Sequence, residues 1–108
     1  MVFDVRFLPN PFYVESLRRK SGENSLVREY IDKWPVTQQF LRRLQEFISF
    51  LVPHYVKEGK SQLVIAIGCT GGLHRSVFVA VKVGEMLRGQ GYHVTIEHRD
   101  IKQNTVEE

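Results

Sequence analysis

The chain has 108 residues, of which 43% are hydrophobic and 25% charged, and its formal net charge is +3. This length fits one domain with a single core, and the composition excludes a disordered or fibrous chain. One cysteine excludes an internal disulfide, and no apolar leader or membrane-spanning stretch stands out. We therefore expect a single cytoplasmic domain over residues 1–108, whose mild basicity favours anionic partners.

The amino-terminal part of the chain predicts a strand and a short helix. Residues 3–7 alternate apolar and polar side chains as a strand does, and the two prolines in residues 8–11 end it. Residues 15–25 are polar and read as a loop, and a helix is predicted over residues 26–33, closed by Trp34 and Pro35.

The middle of the chain predicts a long helix and a buried strand. Apolar side chains recur at helical spacing over residues 40–51, and Pro53 is expected to kink or end this amphipathic helix. Residues 63–67 form a continuous apolar run of strand length, which is typical of a strand buried on both faces. We expect it to be the central strand.

The last third predicts a crossover. A helix is predicted over residues 77–88 with a glycine stop at residues 89–91, and residues 92–96 are a further predicted strand. Two parallel strands joined by a right-handed crossover follow from this order, and the tail over residues 101–108 is expected to be frayed. The predicted fold is α/β, a small and mostly parallel sheet with flanking helices and a glycine-rich anion-binding loop between strand and helix.

That loop reads AIGCTGGLHRS over residues 66–76. It precedes a helix whose free N–H groups and positive dipole end attract an anion, and glycines let successive N–H groups turn inward. The planar guanidinium of an arginine can donate two parallel hydrogen bonds to a phosphate, and hydroxyl groups add further hydrogen-bond donors. The candidate ligands are Thr70, Gly71, Gly72, His74, Arg75 and Ser76. The alternative is that the glycines only make a turn between strand and helix. Neither of the nucleotide-binding motifs GxxxxGK[ST] and GxGxxG is present, so ATP hydrolysis by this chain is not predicted.

The same stretch also reads CxxGxxRS, the spacing of cysteine-dependent phosphatases. Cys69 would be the thiolate nucleophile, activated by the helix terminus and Arg75, and Asp32 or Asp100 would be the acid. Neither acid lies in a recognisable acid loop, and Gly68 stands where tyrosine phosphatases have histidine. A non-catalytic anion site is the preferred interpretation and a phosphatase the alternative.

Other polar residues are weaker candidates for the same pocket. If the first strand is parallel, Arg6 and Asn10 leave its carboxyl end beside the loop, and His98 and Arg99 leave the end of the last strand. The four histidines show no metal-ligand spacing, so we predict no metal and no cofactor. Scattered basic residues allow RNA contacts, but no RNA-binding motif is present.

Three motifs carry a family resemblance. DVRFLPNP at residues 4–11, AIGCTGGLHRSV at residues 66–77 and HRD at residues 98–100 resemble the carboxyl-terminal domain of the RapZ/YvcJ family of bacterial nucleotide-binding proteins. The resemblance spans nearly the whole chain. It implies that an amino-terminal P-loop domain, which binds ATP and GTP in family members, is missing and that Met1 starts an excised piece.

The resemblance further implies a non-catalytic domain that senses an amino-sugar metabolite. Enterobacterial relatives bind glucosamine-6-phosphate and small regulatory RNA as adapters of an endoribonuclease, and the Gram-positive ligand is expected to be a nucleotide-linked amino sugar. By position, residues from Cys69 to Ser76 form the phosphate site. Partners implied are a sugar phosphate, RNA, a protein and further copies in a homo-oligomer, with no membrane. The chain ends in Glu107 and Glu108, less basic than the RNA-binding relatives.

Overall fold

The computed structural model describes residues 1–99, so the expectation for the tail over residues 101–108 lies outside them. In chain order the elements are β1 (Val2–Asp4), a 3₁₀ helix (Pro11–Tyr13), α1 (Ser25–Asp32), α2 (Pro35–Glu58), β2 (Ala66–Gly68) and α3 (Arg75–Gly89). Among residues 1–99, no helix has the length and apolar character needed to cross a membrane.

The sheet consists of β1 and β2, which pair in parallel with Val2 opposite Ala66 and Asp4 opposite Gly68. Val5 extends the ladder by one bond, since its N–H donates to the carbonyl of Gly68 at 2.8 Å. The predicted α/β class is thereby confirmed. Because parallel strands end at the same edge, the segments that follow β1 and β2 come out side by side.

The prediction that residues 63–67 are buried on both faces is wrong. Leu63, Ile65 and Ile67 are partly buried against the core, whereas Val64 between them is 69% exposed. Within residues 1–99 the sheet has two strands, so β2 is not central. An apolar run is therefore not enough to predict burial on both faces.

The predicted strand over residues 92–96 does not join the sheet in the described part of the chain. Its backbone bonds to the end of α3 instead: the N–H of Tyr92 donates to the carbonyl of Leu87 at 3.1 Å, and Nη2 of Arg88 donates to the carbonyl of Val94 at 2.9 Å. A Cβ at Gly84 would lie 2.4 Å from Cδ1 of Ile96, so this glycine lets the segment lie against α3. Partly buried and exposed side chains do alternate over residues 92–96, but no strand forms there.

The helices follow the predicted periodicity with different ends. Asn24 caps α1 by accepting the N–H of Leu26 at 2.9 Å, and α2 starts at Pro35, five residues before the predicted start. Of the two outcomes expected for Pro53, a kink or an end of the helix, the end is wrong, because α2 continues to Glu58. The buried side chains that precede the proline, among them Ile48 and Val52, pack in the core and help to offset the hydrogen bond that Pro53 cannot donate.

The core lies around α3, which contacts β2, α1 and α2. Phe78 of α3 is fully buried, together with Ile31 of α1 and Ile48 of α2. Packing on three sides fixes the position of the helix. The amino-terminal end of α3 is therefore held at the edge of the sheet where β1 and β2 end.

Candidate functional site

An open cavity of about 450 Å³ lies where β1 and β2 end. Its lining residues are Arg6, Leu8, Asn10, Tyr13, Tyr30, Thr70 and Arg75. Four of these, Arg6, Asn10, Thr70 and Arg75, were candidates from the sequence. The structure thus brings together residues from the segment after β1, from α1 and from the turn after β2.

Two glycines make the turn between β2 and α3. Gly71 has φ of 81° and Gly72 has φ of 66°, both in the left-handed region that other residues rarely adopt. This conformation lets the chain reverse within a few residues and begin α3 at Arg75. The turn places the hydroxyl of Thr70 on the cavity and directs the start of the helix toward it.

Arg75 is the most firmly held charge of the cavity. The residue is 4% exposed, and its Nη1 donates to the backbone carbonyls of Arg6 and of Leu8, the latter at 3.2 Å. Its Nε is buried and has no hydrogen-bond partner among the described residues. Arg75 therefore fixes the segment that follows β1 and keeps one unused donor.

Cys69 and Ser76 bond to each other at the amino-terminal end of α3. Sγ of Cys69 accepts the N–H of Ser76 at 3.4 Å and donates to Oγ of Ser76 at 3.3 Å. The first N–H groups of a helix have no partner inside it, so the sulfur acts as a cap. Neither residue lines the cavity, in contrast to the neighbouring Thr70.

His74 is buried rather than placed on the cavity. It is 6% exposed and its Nε2 has no hydrogen-bond partner among the described residues. Burial lowers the pKa of His74, and the backbone groups of Arg18 and Leu17 beside the ring only partly oppose this shift. The loop around Gly22 covers this region, with the N–H of Gly22 donating to the carbonyl of Leu73 at 2.8 Å. In this arrangement His74 belongs to the packing between loop and helix.

Arg6 is held at the cavity by Asp4. The carboxylate accepts the backbone N–H of Arg6 at 3.0 Å and its Nε at 2.9 Å, and Nη2 lies 2.8 Å from Oδ2. The hydrogen bond from Arg6 lowers the pKa of the Asp4 carboxyl. Both side chains are more than half exposed, so Arg6 presents an adjustable charge beside the fixed charge of Arg75.

Asn10 shapes the wall of the cavity. Its Oδ1 accepts the N–H of Phe12 at 3.1 Å and caps the 3₁₀ helix that carries Tyr13. Asn10 thereby sets the position of an aromatic ring as well as its own amide. This local role is one that an Asn-Pro pair often has in turns.

The remaining candidates lie elsewhere. Nε2 of His98 is 4.0 Å from Oε2 of Glu23, and neither His98 nor Arg99 lines the cavity. Asp32, a candidate acid for the phosphatase alternative, lines a second cavity between α1 and α3. Asp100, the other candidate acid, is outside the described residues. Among residues 1–99 no group of three or more His, Cys, Asp or Glu side chains is placed to hold a metal ion.

The sequence reasoning missed Tyr13 and Tyr30. Tyr13 follows the Asn10 cap, which was a usable signal, whereas Tyr30 reaches the cavity only through the packing of α1. Leu8 also lines the cavity, whereas the sequence pattern placed it only at the end of the first predicted strand. Together these residues add one apolar and two aromatic side chains to the lining of the cavity.

The sequence of this chain is similar to those of known proteins. Residues 1–102 match the family model of the RapZ C-terminal domain. The chain is 57% identical over 103 residues to a nucleotide-binding protein of Halothermothrix orenii. The aligned region covers 95% of this chain and 36% of that protein. It is 56% identical over 104 residues to one of Caldicellulosiruptor saccharolyticus, with coverage of 96% and 36%.

A third relative, the nucleotide-binding protein STH186 of Symbiobacterium thermophilum, is 60% identical over 101 residues, 94% of this chain and 33% of that protein. The chain thus spans about a third of the length of these relatives. With the family model covering nearly all of its residues, this chain belongs to the RapZ C-terminal domain family.

Proposed function

We propose that this domain is a non-catalytic sensor that binds a phosphorylated amino sugar, such as glucosamine-6-phosphate, or a related nucleotide amino sugar. The phosphate lies between Arg75, Arg6 and Thr70 at the start of α3. The other ligands predicted from the turn after β2, Cys69, Gly71, Gly72, His74 and Ser76, do not line the cavity and are not part of this proposed contact.

The observation that carries this proposal is the buried guanidinium of Arg75 on an open cavity. Two of its contacts go to backbone carbonyls, and its Nε has no partner among the described residues. A buried charged donor without a partner is costly unless an acceptor arrives. Arg75 lines the cavity, so an anion that enters it meets the positive charge of this guanidinium.

The rest of the cavity supports a ligand that is larger than phosphate alone. Its volume of about 450 Å³ lies within the range of small-molecule sites. Tyr13 and Tyr30 also line the cavity, and a tyrosine side chain combines an aromatic ring with a hydroxyl, which suits the apolar faces and hydroxyl groups of a sugar.

The test is a titration of the 108-residue chain with glucosamine-6-phosphate, monitored by calorimetry and by phosphorus-31 NMR. We expect the sugar phosphate to bind without being hydrolysed. Arg6→Ala and Thr70→Val should weaken it, while Arg28→Ala, a matched change of a basic residue on the second cavity, should not. If millimolar glucosamine-6-phosphate gives neither a heat of binding nor a change of its phosphorus-31 signal, this sugar phosphate is ruled out as the ligand.

A phosphatase remains the second candidate because the Cys69 thiol accepts a hydrogen bond from the first turn of α3. The same NMR series distinguishes the two functions. Growth of an inorganic phosphate signal that disappears in Cys69→Ser would identify the cysteine as a nucleophile. A spectrum without conversion favours the sensor.

The function of the whole protein follows as a further part of the proposal. The similar proteins are named nucleotide-binding proteins, and this chain spans about a third of them. The domain would report ligand occupancy to the rest of such a protein and to an RNA or protein partner. An RNA interaction would be recognised by an affinity that falls steeply as salt rises.

A further inference from the structure

An exposed pair of aromatic residues adjoins the cavity beside the sheet. Phe12 and Tyr13, here called the aromatic corner, lie in the 3₁₀ helix that follows β1. Their ring centroids are 5.8 Å apart and their ring planes meet at 85°. Phe12 is 50% exposed and Tyr13 is 80% exposed, and Tyr13 also lines the cavity. The aromatic corner therefore continues the surface of the cavity as two ring systems that face the solvent.

The backbone under the aromatic corner is held in place before any ligand arrives. Oδ1 of Asn10 accepts the N–H of Phe12 at 3.1 Å, and Pro11 is fully buried. The guanidinium of Arg18 lies 4.8 Å from the ring centroid of Phe12, and its Nε donates to the carbonyl of Phe12 at 2.9 Å. A ligand that covers these rings consequently loses little affinity to the ordering of the protein.

Tyr13 differs in this respect from Tyr30, the other tyrosine of the cavity. The ring of Tyr30 is half-buried and meets the ring of Trp34, with centroids 6.1 Å apart. Nζ of Lys33 lies 5.0 Å from the same ring. Within residues 1–99, the one ring contact of Tyr13 is the edge contact with Phe12. Tyr13 is therefore the tyrosine of the cavity with ring surface to offer to a ligand.

We propose that the aromatic corner is a base-stacking subsite, and that this domain takes a nucleoside phosphate with its base on the ring of Tyr13. The assignment rests on the proposed function, because the phosphate lies at Arg6 and Arg75 in the same cavity. It narrows the ligand class to anions that carry a flat aromatic ring. A sugar phosphate without a base would leave the ring of Tyr13 in water.

The charges of the two regions fit the two ends of such a ligand. The lining of the cavity includes the guanidinium groups of Arg6 and Arg75 and, within residues 1–99, no acidic side chain. A phosphate is therefore attracted there without opposition from a neighbouring carboxylate. A nucleobase is flat and uncharged, and any base can stack on an aromatic ring because each has a π face. The juxtaposition of fixed positive charge and open ring surface suits an anion joined to a base.

The experiment is a calorimetric titration of the 108-residue chain with two probes, adenosine 5′-monophosphate and ribose 5-phosphate, which lacks the base. The wild type should bind the nucleotide about tenfold more tightly or better. Tyr13→Ala and Phe12→Ala should each reduce this preference and leave the affinity for ribose 5-phosphate unchanged. Thr70→Val, at the phosphate, should weaken both probes alike. Phe50→Ala, a matched change of an exposed ring on α2, should alter neither affinity, and circular dichroism checks that every variant is folded.

Each contrary outcome has a distinct meaning. Equal affinity of the wild type for the two probes would overturn the base subsite and leave the phosphate cavity intact. A nucleotide preference that survives Tyr13→Ala would also overturn it, because the base would then lie elsewhere. If glucosamine-6-phosphate binds and neither probe does, the nucleoside ligand is excluded while the sensor function stands. If none of the three binds, both proposals fail.

Discussion

The two cavities of this domain hold their charges in different ways. In the cavity beside the sheet, Arg75 is buried and bonded to two backbone carbonyls. In the cavity between α1 and α3, of about 280 Å³, charged side chains of both signs meet at the surface, and Nη2 of Arg28 lies 3.6 Å from Oε1 of Glu85. The comparison teaches that a count of charges does not mark a binding site, whereas a fixed and buried charge with an unused donor does.

The largest effect is expected for Arg75→Ala. Removal of the guanidinium should cost on the order of 2 to 5 kcal/mol of affinity for glucosamine-6-phosphate, because the charge is held in a desolvated place. It should also lower the free energy of unfolding, since the carbonyls of Arg6 and Leu8 lose their donor. Calorimetry gives the first value and urea denaturation the second.

Stability loss and binding loss are separated by comparing Arg75→Ala with Thr70→Val. Thr70 is exposed and its side chain forms no hydrogen bond within residues 1–99, so this variant should bind more weakly while unfolding like the wild type. An Arg75→Ala protein that is folded and binds as tightly as the wild type would remove the difference between the two cavities.

Gly22→Ala should come next in size. A Cβ at this position would lie 2.3 Å from the carbonyl oxygen of His74 and 2.7 Å from the backbone nitrogen of Phe78. Backbone atoms do not move aside easily, so we expect a loss of about 3 kcal/mol in the free energy of unfolding. Gly89→Ala is the matched control, because nothing lies within 4 Å of its Cβ. Equal stability of the two variants would mean that the loop around Gly22 does not pack tightly against the start of α3.

His74→Gln should change the pH dependence of folding. The folded-state pKa of His74 is lowered from 6.5, so the unfolded chain binds more protons in acid, and stability is lost as pH falls from 6.5 towards the folded-state value. The variant should therefore show a smaller loss of stability than the wild type between neutral and mildly acidic pH. Identical slopes for His74→Gln and wild type would contradict the burial of this side chain.

The smallest effect is expected in the second cavity. Arg28→Ala removes a partly exposed ion pair with Glu85, and such pairs contribute about 0.5 kcal/mol or less. Thermal unfolding and the ligand titration should both resemble the wild type. A marked loss of ligand affinity would make the second cavity the better site.

The sequence predicted those parts of the site that depend on local geometry. The positive φ of Gly71 and Gly72 and the position of Arg75 at the start of a helix follow from the pattern of the turn itself. The burial of His74 did not, because it depends on a loop fifty residues earlier that packs over the helix start. Tyr30 likewise faces the cavity only through tertiary packing of α1.

The same division holds for the fold. The three predicted helices correspond to α1, α2 and α3, and α2 was found from the spacing of its apolar residues. The alternation of residues 3–7 predicted β1 one residue late at its start and three residues late at its end. The last predicted strand failed because residues 92–96 satisfy part of their backbone bonding at the end of α3, which no local pattern reports. The structure of residues 92–96 therefore depends on the residues they contact in the folded chain, rather than on their own propensity to form a strand.

The bonds from Arg75 to the carbonyls of Arg6 and Leu8 have a consequence for the thermodynamics of recognition. Since the guanidinium is already immobile before an anion arrives, its side-chain freedom is not lost again on binding. The entropy of ordering is confined to Arg6, the exposed partner, and to the ligand. A temperature series of calorimetric titrations should accordingly show a less unfavourable binding entropy than a site built on flexible surface lysines and arginines would give.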